Sequence, residues 1–93
     1  MELTERAYDF SVRAAELVRY LREKGGAFPL ADKLLDCGVC AGLAMRENDR
    51  GEAAAQIRRA DYIIEMAAKS GYLTEIQARP LRTEARALLD ALR

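Results

Sequence analysis

Apolar residues recur along this chain with a helical rhythm and nowhere with the alternation of a strand. Leu3, Ala7, Phe10, Ala14, Leu17 and Leu21 follow one another at spacings of four and three, which lines one face of a helix. Lys24 then meets Gly25-Gly26, which ends the segment. Pro29 suits a first helical position, where no amide hydrogen is missed, and the segment it opens runs to Glu47 before Asn48-Asp49-Arg50-Gly51 turns the chain. Inside it, Cys37, Gly38, Val39, Cys40, Ala41, Gly42 and Ala44 are nearly all small or apolar. That composition predicts a helix that neighbouring backbones approach closely, at the centre of a bundle. A third segment carries Ala53, Ile57, Ala60, Ile64 and Ala67 on one face and stops at Ser70-Gly71, a C-terminal glycine signal. Thr74 with Gln77 three residues on fits a capping box, and Leu81, Ala85, Leu88 and Leu92 give the fourth segment its apolar face. Pro80 is discordant there: its ring clashes with the carbonyl four residues earlier at a cost of ~3 kcal/mol in a helix interior, so a break or a kink is expected.

The pattern predicts an all-α protein, a single domain over residues 1–93 with helices at about 3–24, 29–47, 52–70 and 75–92. Helices of similar length joined by short loops pack most simply as an up-down-up-down four-helix bundle. A chain this small buries only about 60 to 65% of its unfolded surface, so association between copies would add to its core. Tyr8 and Val12 lie away from the Leu3 to Leu21 seam, and Tyr62, Ile63 and Met66 widen the third helix's apolar arc. These five residues are the candidate oligomer contacts; the competing reading is that isolated apolar residues are ordinary on protein surfaces.

Fifteen basic and fifteen acidic residues cancel, so any nucleic-acid or membrane partner must be met by a local patch. No apolar run approaches the ~20 residues of a membrane span. The N-terminus, Met1-Glu2-Leu3-Thr4-Glu5-Arg6, has no basic start followed by an apolar stretch, and a cytoplasmic location without a membrane partner is expected. Arg79, Arg82, Arg86 and Arg93 fall within about 60° on the fourth helix, a candidate nucleic-acid-binding stripe whose guanidinium groups suit phosphates. Asp90 enters the same stripe, Glu75 stands four residues before Arg79, and Asp90 four after Arg86, so a solvated, salt-bridged face is the alternative. Arg58 and Arg59 on the third helix are a further source of charge.

Cys37-x-x-Cys40 is the one motif that spells chemistry. Such a pair cycles between dithiol and disulfide where a helix N-terminus stabilises a thiolate, and two pairs hold zinc. Here it lies mid-helix, in a chain with no histidine and no second pair. The residues are read as small core fillers, with a thiol redox or metal site shared between subunits as the minority alternative. With no histidine to act as a general base, no glycine-rich phosphate loop and no nucleophile motif, neither an enzyme nor a cofactor is expected.

Ala7-Tyr8-Asp9-Phe10-Ser11 through Leu17, then Leu34-Leu35-Asp36-Cys37-Gly38-Val39-Cys40-Ala41-Gly42, then Tyr62-Ile63-Ile64-Glu65 and Ser70-Gly71-Tyr72-Leu73, resemble the four-helix-bundle proteins encoded in intervening sequences of 23S ribosomal RNA genes. That family includes Avd, the accessory variability protein of diversity-generating retroelements. The resemblance spans nearly the whole chain, and it departs where the family carries arginine, two serines and asparagine on the second helix: here stand Asp36, Cys37, Cys40 and Ala44. It implies a bundle that assembles into a homo-oligomer, a pentamer, acting as a non-catalytic helical adaptor with RNA or DNA and a reverse transcriptase as partners. A helical assembly or protein-interaction module with no nucleic-acid role is the alternative.

Overall fold

In the computed structural model, which describes residues 2–24 and 26–93, each apolar stripe becomes the inward face of a helix. The helices are α1 (Leu3–Glu23), α2 (Ala31–Arg46), α3 (Arg50–Lys69) and α4 (Glu75–Ala91). Each packs on its neighbours in sequence and α4 closes against α1. Contacts set the directions: Leu3 at the start of α1 and Leu92 just past the end of α4 pack against one cluster, and Arg50 at the start of α3 donates to the Ala91 carbonyl at the end of α4, while Arg6 meets Glu84 midway along α4. Gly42 faces Ser11 while Gly38 faces Ala14, so α1 and α2 are antiparallel as well. The result is an antiparallel four-helix bundle of 36 × 20 × 19 Å, with a radius of gyration of 12.3 Å, the size expected of a compact domain of this length.

Capping residues set the helix ends. Asp49 accepts from the Glu52 amide at 3.0 Å at the start of α3. The capping box expected at α4 is present, with the Gln77 amide 3.1 Å from the Thr74 hydroxyl oxygen and the Thr74 amide 2.8 Å from Gln77 Oε1. α2 and α3 each end in a left-handed residue, Asn48 at φ 59° and Gly71 at φ 87°. In both turns the following amide returns to a carbonyl one helical turn back, Asp49 to Ala44 at 2.8 Å and Tyr72 to Ala67 at 2.9 Å. α2 begins at Ala31, so Pro29 lies in the preceding turn rather than at the first helical position. Pro80 neither ends nor interrupts α4. It sits on the solvent side, one turn after Ile76, which is itself exposed.

The core runs through all four helices, with Phe10, Leu21, Leu34, Ile57, Ile64 and Leu88 as its largest fully buried side chains. On α1 the buried line passes through Val18, and Leu17 is only partly covered. The small residues of α2 do what their composition predicts. A Cβ added at Gly38 would stand 2.6 Å from the Ala14 Cβ, and one at Gly42 would stand 2.4 Å from Ser11 Oγ. Ser11 uses this proximity, its hydroxyl donating to the Gly38 carbonyl at 2.6 Å. At one end of the bundle Phe28 and Tyr72, from the two loops that meet there, pack with ring centroids 4.9 Å apart.

Candidate functional site

The arginine stripe of α4 does not survive folding as four free cations. Arg82 is turned toward α3, where its Nε lies 2.9 Å from Asp61 Oδ1 and its Nη2 3.6 Å from Glu65 Oε1. Its side chain is 17% exposed. The hydrogen bond to Asp61 pushes its pKa further above the ordinary arginine value, so the charge is permanent and already neutralised by a neighbour. Arg93 pairs with Asp90 at 3.5 Å. Arg79 and Arg86, two turns apart, remain exposed, and among the described residues neither forms an ion pair. The pairings of Arg79 with Glu75 and of Arg86 with Asp90 do not form.

The candidate oligomer contacts divide in the same way. Tyr8 is 53% exposed and Tyr62 64%, and Val12 and Met66 are also exposed. Ile63 is not: at 4% exposure it belongs to the core, because α2 covers the side of α3 on which it lies. Two exposed residues of α2 join this surface: Val39, expected from the sequence at the bundle's centre, and Leu43, which the sequence reading does not single out. With Tyr8, Ser11, Gly42 and Arg46 they line a shallow pocket of about 150 Å³ between α1 and α2. Tyr8 also lines the adjoining depression with Val12, Thr4, Glu5, Asp9 and Arg46, so Tyr8 links Val39 and Leu43 to Val12 on a surface edged by charge. The Arg46 guanidinium carbon lies 4.9 Å from the Tyr8 ring centroid, a cation–π contact that holds the tyrosine's orientation.

On the other side of α2 a larger groove of about 630 Å³ runs between α2 and α3. Leu30, Ala55, Tyr62, Ile63 and Met66 give it apolar walls, and Lys33, Arg58 and Arg59 rim it. None of these three cations forms an ion pair among the described residues.

The two cysteines part company. Cys40 is exposed, which corrects its reading as core filler, and Cys37 is buried. Burial pushes the Cys37 thiol up, against the opposing pull of Arg59 and Lys33, so at neutral pH it is a thiol and a poor nucleophile. No group of three or more histidine, cysteine, aspartate or glutamate side chains is placed to hold a metal ion among the described residues. No helix among them is long and apolar enough to cross a membrane.

No family model matches the chain, and no curated protein matches it. Its fold is that of a solved structure from Bacteroides thetaiotaomicron, a protein with unknown function from the S23 ribosomal protein family. The likeness covers 98% of this chain and 94% of that one, with a TM-score of 0.92 at 19% sequence identity. At that identity it is a likeness of fold, and it extends over nearly the full length of both bundles.

Proposed function

We propose that this chain is a non-catalytic helical adaptor that works as a homo-oligomer. One observation carries the reading: Tyr8, Val12, Val39 and Leu43 are all exposed on two adjoining depressions of α1 and α2 that share Tyr8 and Arg46. Contiguous apolar surface rimmed by polar residues is the mark of an association site, and a domain with so small a core gains from covering it. The test is the mass in solution. The native chain is expected at a multiple of its 10.4 kDa, five by the sequence resemblance, and Tyr8→Glu with Leu43→Glu is expected to reduce it to the monomer without loss of helicity. Native protein that runs as a monomer at tens of micromolar, a concentration on the order of ten thousand times a nanomolar dissociation constant, would overturn the reading.

The resemblance points to RNA or DNA, in company with a reverse transcriptase, as what such an adaptor serves. The likeness of fold to a member of a ribosomal protein family supports an RNA-linked setting. On α4 the cations left for phosphates are Arg79 and Arg86, and symmetry multiplies them in an oligomer. Binding to a structured RNA should then weaken with salt by roughly 0.7 to 0.9 logarithmic units per logarithmic unit of salt for each phosphate contact, and Arg79→Gln with Arg86→Gln should flatten that slope. A chain that oligomerises yet binds neither RNA nor single-stranded DNA at low salt is instead an assembly module alone.

A further inference from the structure

We propose that the α2–α3 groove of one copy receives the outer face of α1, residues 5–16, of a second copy, so that the chain associates head to tail. The inference rests on the self-association reading above and names the two surfaces that meet. They are complementary in three respects. The groove is apolar at its walls and basic at its rim, through Lys33, Arg58 and Arg59. The outer face of α1 is apolar along Tyr8, Val12 and Ala15, at spacings of four and three, and acidic beside them through Glu5, Asp9 and Glu16; Arg46 of α2, over the Tyr8 ring, is a cation at its edge that the pairing must turn away from the groove's rim. All six charged groups lack an ion-pair partner among the described residues. They are also matched in length: at 1.5 Å per residue the groove's stretch of α3, residues 55–66, and the α1 face, residues 5–16, each run about 17 Å.

Within one chain the two surfaces never meet, because α1 and α3 both pack on α2 and do not touch each other. Pairing like with like is disfavoured most at the groove, where it sets three cations against three; α1 on α1 sets three carboxylates against three, which Arg46 beside Tyr8 only partly offsets. Pairing unlike surfaces leaves each copy with one donor face and one acceptor face. That is a heterologous contact, which closes into a ring or continues as an open filament according to the rotation between the faces.

Charge reversal tests the pairing. Arg58→Glu with Arg59→Glu turns the rim acidic, and Glu5→Lys with Asp9→Lys turns the α1 face basic. Each pair alone is expected to weaken self-association on the order of a hundredfold through like-charge contact. The chain carrying all four changes is expected to recover the native mass, because its two faces again have opposite sign. Association of the native chain should also weaken as salt rises. Failure of the reading beneath it looks different: the native chain itself is then a monomer. A native oligomer untouched by the groove reversal, or a folded four-change variant that stays monomeric, overturns the head-to-tail pairing. Should a reversal cost the bundle its helicity, the salt series on the native chain decides, and a dissociation constant flat between low and high salt overturns it.

Discussion

Arg82 shows how a residue's meaning changes when the chain closes. On the helical wheel it stands in line with Arg79 and Arg86, yet its partners Asp61 and Glu65 come from α3, 21 and 17 positions away. No spacing rule within one helix reports them. Its role is to pin α4 to α3, with Asp61 itself only 19% exposed. Arg82→Gln is therefore expected to destabilise the bundle by roughly 1 to 2 kcal/mol, the worth of a charged hydrogen bond whose loss leaves a partly buried carboxylate without its cation. The half-exposed Glu65 adds little. Urea unfolding measures this, and an unchanged midpoint would return Arg82 to the free stripe. Ile63 was misplaced for a related reason: it adjoins Ile64 on the apolar arc of α3, and only the position of α2 decides that both are buried.

At the scale of the helix much of the fold was legible, because the rules involved are local. The apolar period fixed four helices, the Thr74 and Gln77 box fixed the start of α4, and Ser70-Gly71 fixed the end of α3. A close approach to α2 could be expected from Gly38 and Gly42, since only a helix pressed by a neighbour gains from residues that weaken it alone; that α1 is the neighbour is seen only in the fold. Gly38→Ala tests that exchange. Alanine improves helix propensity by about 1 kcal/mol, but its Cβ would meet the Ala14 Cβ at 2.6 Å, and overpacking of this kind costs roughly 1 to 3 kcal/mol. A net loss of up to about 2 kcal/mol is expected, seen as a thermal midpoint lowered by roughly 4 to 8 °C for each kcal/mol. A raised midpoint would mean that α1 and α2 separate at no cost. Less legible was α2 itself. A helix apolar nearly all round does not declare which side is outward, so Val39 and Cys40 read as interior and Leu43 does not stand out, although all three are exposed.

For the whole molecule, the informative feature is that four helices enclose a core and still leave two apolar surfaces uncovered, one on each side of α2. Sequence spacing found Tyr8, Val12, Tyr62 and Met66, which is most of the exposed apolar set, because a residue's angle on its own helix is a local property. It did not find the groove as a basic-rimmed site, since Lys33 comes from α2 and Arg58 and Arg59 from α3. In the proposed function, assembly is the molecule's first activity, with any nucleic-acid contact built on it. Sedimentation equilibrium of the native chain beside Tyr8→Glu/Leu43→Glu addresses that claim most directly. A native mass several times 10.4 kDa and a folded, monomeric variant are predicted; a native chain that sediments as a monomer, or a variant that keeps the native mass, would contradict it.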